Sequence, residues 1–233
     1  MSSTKATARL AGILYLVMGI PAWFSLVSIP SALYVHGNAT ATMRNVMNAE
    51  SLYRLGILSE LVSQTIFIFL VLVFYDLFKD VDRKQARLMV TLVVVAVAIE
   101  FVNCVNLIAP LVVLSGADYL SVFSKPQLDA LAFTFLKLRH SGLDVVGLFW
   151  GLWLVPLGVL VMKSRFIPRL LGVLVIAAGV AYIVGSVTAI IWPAQRDIVS
   201  RFTLPIGGVG ELLLVLWLLV IGAKENPLEA KRT

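Results

Sequence analysis

Four carboxylates stand inside long apolar stretches of this sequence: Glu60 in "LYRLGILSELV", Glu100 in "VVVAVAIEFV", Asp144 in "KLRHSGLDVV" and Glu211 in "GELLLVLWLL". An ionised acid at the centre of a membrane-spanning helix costs about 2.5–3.5 kcal/mol on the insertion scale, so such groups face a protein interior and are paired, protonated or wet. Carboxylates held this way serve as sites for protons, cations or amines. Their neighbours extend the polar surface. Ser63 and Gln64 lie one helical turn beyond Glu60 on its face, and Asn103 and Asn106 follow Glu100 at intervals of three. Lys137, His140, Ser141 and Asp144 fall within about 100° of arc on a helix, and Arg139 points to the other face. Glu60 with Arg54, or His140 with Asp144, would also make plain ion pairs, and Asn103 and Asn106 are expected as helix-to-helix hydrogen bonds.

The elements that must position these residues are transmembrane helices. Of 233 residues, 60% are hydrophobic and 14% charged, against about a quarter charged in a soluble domain. Mean hydropathy is +0.95. A spanning helix needs about 20 mostly apolar residues, and six stretches qualify: Leu10–Val35, Leu52–Phe74, Leu88–Leu114, Ser141–Met162, Leu170–Trp192 and Leu204–Ala223. Runs such as "LMVTLVVVAVAIEFV" are apolar on every face, unlike the alternating ten-residue strands of an outer-membrane barrel. The fold expected is all-α: one polytopic transmembrane helix bundle over residues 1–233. Lys5 and Arg9 precede an apolar run that continues through Pro21 and Trp23, too long for a secretory signal, so the first stretch is expected to remain as a helix.

Lysine and arginine mark the cytoplasmic side of membrane proteins. Lys5, Arg9, Lys79, Arg83, Lys84, Arg87, Lys163, Arg165, Arg169, Lys224, Lys231 and Arg232 share one side on the six-helix reading; the opposite loops hold Arg44, Lys125, Arg196 and Arg201, with Arg54, Lys137 and Arg139 close to the outer ends of spans. Both termini are therefore expected in the cytoplasm. On this topology Glu60, Glu100, Asp144 and Glu211 come to one layer in the outer half of the membrane, a carboxylate-rich pocket open to the outside. Arg54, His140 and Asn103 complete the set of candidate ligand-binding residues. The net charge of +6 suits anionic lipid head groups, and no nucleic-acid motif accompanies the basic loops.

Other chemistries find less support. Cys104 is the single cysteine, which excludes an intrachain disulfide. His-Glu-x-x-His, Gly-x-Ser-x-Gly and phosphate-binding glycine loops are absent from the sequence, and Ser141 beside His140 points about 100° away from it. With His36 and His140 the only histidines, a histidine-rich zinc site is excluded, although carboxylates for a harder cation remain. "NAT" at Asn38–Thr40 fits a glycosylation sequon by chance composition. "GLFWG" (Gly147–Gly151), with Gly172, Gly179 and Gly185, reads as a helix-packing surface.

Several stretches, "ARLAGILYLV", "LYRLGILSELV", "GLWLVPLGVLVMKSRFIPRLLGVLVIAAGVAYIV" and "GELLLVLWLLVIGAK", together resemble the domain of unknown function 4386 family of bacterial integral membrane proteins. The resemblance implies six helices in a bacterial plasma membrane and polar character at Arg54, Glu60 and Glu211; it implies no activity or cofactor. Trp153 stands where many members carry histidine, which argues against a metal bound at that position. The function these residues favour is binding or sensing, with translocation as a variant, of a small cationic, amine or lipid ligand. An intramembrane enzyme using the acid cluster, or a structural scaffold, are the alternatives.

Overall fold

The computed structural model describes residues 4–223, so the basic residues Lys224, Lys231 and Arg232 lie outside the described residues. Every regular element among the described residues is helical. Six helical segments among the described residues are long and apolar enough to cross a bilayer: Thr4–Leu33, Glu50–Phe78, Arg83–Val113, Lys125–Ser164, Arg169–Ile191 and Pro193–Val220. This is a multi-pass, all-α membrane protein. In chain order the helices are α1 (Thr4–Trp23), α2 (Ile29–Leu33), α3 (Ala39–Asn48), α4 (Glu50–Phe78), α5 (Arg83–Val113), α6 (Lys125–Ser164), α7 (Arg169–Ile191) and α8 (Arg196–Val220).

The fourth span departs most from expectation, beginning at Lys125 instead of Ser141. Its added turns are polar overall but amphipathic: Asp129, Ala132, Leu136 and Arg139 recur at three- and four-residue spacing and are all buried. A window tuned to continuous hydrophobicity passes over such a stretch. At the other end α6 stops where Arg165 takes a left-handed backbone (φ 62°), the post-helix conformation that glycine usually supplies.

Two compact units partition the chain, and α1, α4, α5 and α6 each contribute residues to both. The first comprises the described residues up to Val17, Ile66–Val97 and those from Asp144 onward. Its packing rests on small residues. A Cβ on Gly151 would lie 2.5 Å from the Gly179 carbonyl, and one on Gly179 would lie 2.7 Å from the Gly151 carbonyl; Gly158 and Gly172 make the same reciprocal approach at 2.6 Å each way. Backbones of α6 and α7 therefore touch, the arrangement anticipated from "GLFWG", and gain dispersion contact that does not depend on expelling water. An aromatic group fills the adjoining space: Tyr15, Phe67 and Phe74 surround Trp153 with ring centroids 5.1–6.4 Å away. Trp153, 2% exposed, is thus a packing residue.

Contacts in this unit also group the basic segments. Lys163 Nζ lies 2.7 Å from Asp82 Oδ2, joining the α4–α5 and α6–α7 connections. Arg9 donates to the Val220 carbonyl at 3.3 Å, joining the N-terminal segment to the end of α8. Asp82 also caps α5, accepting from the Gln85 and Lys84 N–H groups at 3.1 Å each. The hydrogen bond from Lys163, with help from that cap, holds the Asp82 carboxyl below the ordinary range.

The second unit comprises Met18–Thr65 and Ala98–Leu143. Here the helical path is broken. Pro30 has no N–H to return to the preceding turn and its ring crowds the carbonyl there, and the chain widens into a π turn over Phe24–Ser28 before resuming as α2. Asn38 then starts α3, its side chain accepting from the Ala41 N–H at 2.9 Å. The asparagine of "NAT" therefore has a local structural use. α3 buries Met43 and Val46 against Ile29, Leu33, Tyr53 and Leu107, while Arg44 is exposed.

Candidate functional site

Three helices of the second unit bring charged side chains together. On α4 the buried positions Tyr53, Ile57, Glu60 and Gln64 follow helical spacing, so Glu60 lies on the core face with nothing of it exposed. On α5 the face carrying Ala96, Glu100, Asn103 and Leu107 is likewise buried. Arg139 is on the face of α6 defined by Ala132 and Leu136 and is 5% exposed.

Arg139 Nη1 lies 2.6 Å from Glu100 Oε1, and Nη2 lies 3.5 Å from Glu60 Oε2. Gln64 Nε2 donates to Glu60 Oε1 at 3.0 Å. Asn103 Nδ2 is shared between Glu100 Oε2, at 3.4 Å, and the Arg139 carbonyl, at 3.1 Å. Arg139 thus links α4 through α6 to α5, and Asn106, donating to Asn103 Oδ1 at 3.1 Å, extends the chain of contacts along α5. Gly142 permits the approach: a Cβ there would overlap the Asn103 side chain. The rigid guanidinium fork suits this position, since one planar group reaches two acids on different helices. Gln64 Oε1 is buried without a hydrogen bond.

Helical spacing alone turns Arg139 away from the polar arc of α6, and the structure gives that turn the opposite meaning from the one expected. The arc itself is the more exposed side of α6, with Lys137 and His140 exposed and Asp144 half-buried, while the opposite side carries the charge-pairing residue. The signal was available in the three- and four-residue spacing of Asp129, Ala132, Leu136 and Arg139, all buried, which Val146 continues two turns later.

Each of the remaining candidates has partners within its own unit. Asp144 Oδ1 accepts from Arg196 Nη2 at 2.6 Å, and Glu211 accepts from the Tyr15 hydroxyl; both belong to the first unit. Tyr182 also faces Glu211. Glu60 and Glu100 belong to the second, so the pairings describe an acid pair sharing one arginine in that unit and two acids with partners of their own in the first. Arg54 is not at the cluster. It pairs with Glu50 at 2.7 Å on the exposed face of α4, because it is one residue past Tyr53 and turns 100° away from the core.

A cavity of about 340 Å³ opens in the second unit. Its apolar wall includes Leu26, Pro30, Leu107, Phe133, Leu136 and Leu143. The polar lining is Arg139, Lys137, His140, His36, Tyr34 and Ser25, and none of the lining residues is acidic. This differs from the carboxylate-lined space expected: Glu60 and Glu100 engage Arg139 and are absent from the wall. Burial pushes the Tyr34 hydroxyl up to about 12, which keeps it neutral and able to donate at physiological pH. Ser25 reaches the cavity from the π turn, a feature frequent at functional sites. Among the described residues no group of three or more His, Cys, Asp or Glu side chains is arranged to hold a metal ion.

No solved structure matches the chain. A protein of Archaeoglobus fulgidus (strain ATCC 49558 / DSM 4304 / JCM 9628 / NBRC 100126 / VC-16), named "Uncharacterized protein", is similar at 35% identity over 92 residues, which covers 38% of this chain and 51% of that relative. The match thus spans about half the length of that relative. The family described as domain of unknown function (DUF4386) matches residues 10–222, from the first transmembrane helix past the end of α8, and the chain belongs to that family.

Proposed function

We propose that this protein is a membrane-embedded binding protein for a small amphiphilic ligand, acting as a receptor or sensor in a bacterial plasma membrane with both termini in the cytoplasm. The observation that carries the reading is the cavity of the second unit. Its volume of about 340 Å³ is in the range of small-ligand sites, and it combines an apolar wall with a few convergent polar groups. The Glu60–Arg139–Glu100 cluster supports it by fixing one of those groups in place. A lipid-like ligand suits such a wall better than a cation or amine, which would call for carboxylates in contact with it. The basic bias of the sequence and the contacts that tie Lys163 to Asp82 and Arg9 to Val220 support the assignment of one basic side.

Thermal unfolding in detergent against a library of lipids, amines and inorganic cations tests this. A ligand present at 100 times its Kd adds about 2.7 kcal/mol of stability. At least one lipid-like compound should stabilise the parent protein, and Leu143→Trp, which fills the cavity from α6, should remove that effect. A library in which nothing stabilises the parent, or equal stabilisation of parent and Leu143→Trp, would sink the proposal.

A further inference from the structure

We infer that the cavity selects an amphiphile with an anionic head group, a phosphate or carboxylate, and this inference rests on the cavity being the ligand site. Its basis is the chemistry of the lining taken residue by residue. Four basic side chains, Lys137, Arg139, His36 and His140, meet the cavity and no acidic one does. Arg139 is drawn on by Glu100 and Glu60, so its charge is largely offset within the protein. Lys137 is different. Among the described residues it makes no salt bridge, and its Nζ stands over the Phe133 ring, 5.3 Å from the centroid. Phe133 is itself part of the cavity wall, so this cation–π contact holds a full positive charge beside an apolar surface. An ammonium needs a hydrogen-bond acceptor, and an anionic head supplies the charged one that the lining lacks. The imidazoles of His36 and His140 and the Tyr34 hydroxyl add donors that a phosphate or carboxylate can accept from.

The apolar part of the lining sets the other half of the specificity. Leu26, Pro30, Leu107 and Leu136 offer no polar atom beyond the backbone, so a small hydrated anion gains nothing from them, whereas an alkyl chain is removed from water along them. Head and tail are thus recognised by different residues of one space. A cationic head would meet Lys137 as a like charge, and a neutral head would leave the lysine without a charge partner.

Matched ligands decide the point. Dodecyl phosphate, dodecyl maltoside and dodecyltrimethylammonium share a tail and differ in head charge; inorganic phosphate has the head without the tail. Their affinities are measured by calorimetry on the full chain in one nonionic detergent. Dodecyl phosphate should bind about tenfold or more tightly than the other two amphiphiles, and Lys137→Gln should reduce that preference by about tenfold, the scale of one charge-assisted hydrogen bond. His140→Gln, also at an exposed position, should reduce it in the same direction. Equal affinity for the three heads, preference for the cation, or an unchanged preference in Lys137→Gln would overturn the inference, while loss of that binding in Leu143→Trp would leave the ligand site standing. Inorganic phosphate binding as tightly as dodecyl phosphate would overturn the amphiphile in favour of a free anion. Binding of none of the four, with no Leu143→Trp-sensitive ligand from the wider library either, would remove the ligand-site reading and this inference with it.

Discussion

The two units solve the same problem, holding helices together in lipid, by different means. In the first, glycines on α6 and α7 let backbone meet backbone, and an aromatic cluster around Trp153 fills what remains. The second holds α4, α5 and α6 partly through Arg139 and two buried acids, and keeps a cavity beside them. Close packing without charge tolerates small losses locally, whereas a buried ion cluster is cooperative: removing one member strands the others. The difference suggests that the first unit is built for rigidity and the second carries a constraint beyond stability.

The contrast between the units is sharpest at Arg139. Arg139→Ala leaves Glu60 and Glu100 buried without their cation, and removing one partner of a buried pair costs about 3–5 kcal/mol. Detergent thermal unfolding should register a larger loss for it than for a single change in the first unit, and Arg139→Met combined with Glu60→Gln and Glu100→Gln should recover most of it. Failure of the triple change to recover stability would mean that the cluster does more than neutralise itself. Next in size is the glycine crossing. Gly179→Leu forces a side chain against the Gly151 carbonyl and should cost about 1–3 kcal/mol, the range for overpacking, with no effect on ligand response in the second unit.

Glu211→Gln should cost less. The amide oxygen can still accept from Tyr15, and hydrogen bonds of this kind average about 0.6 kcal/mol in membrane proteins. A loss as large as that of Arg139→Ala would place a second essential polar centre in the first unit. Smallest is Asp82→Asn, which keeps a capping oxygen but loses the ion pair with Lys163. Because the Asp82 carboxyl is held below its ordinary value, its stabilisation is complete above that value and fades as pH falls through the lowered one. Parent and variant melting temperatures should therefore differ near neutral pH and converge in strong acid.

Most of the helical framework was legible because uninterrupted apolar runs have one solution in a bilayer, and the pairings of Glu60 with Gln64 on α4 and of Glu100 with Asn103 on α5 were legible because polar residues at three- to four-residue spacing share a face. Arg139 was not. Attention to the most polar arc of α6 favours Lys137, His140 and Asp144, yet burial follows the arc that continues the apolar face, and one arginine within it is bound to be the paired one. Arg54 illustrates the converse: adjacency to a buried tyrosine in sequence turns it outward in space. The basic wall of the cavity was beyond reach because His36 and Tyr34 come from the segment after α2, far in sequence from Lys137.

The π turn at Phe24–Ser28 has a consequence for how this chain can change length. Each of its hydrogen bonds closes over one residue more than an α-helical bond does, as in the Ile29 N–H to Phe24 carbonyl link. The turn therefore stores a spare residue. Deleting Val27, whose side chain is exposed, should let the segment contract to ordinary helix while the flanking turns keep their registers, a shortening that an uninterrupted stretch of α4 or α5 has no slack to absorb. Ser25 would then rotate relative to the cavity, so a chain one residue shorter at this point would fold alike and present a different wall to whatever enters.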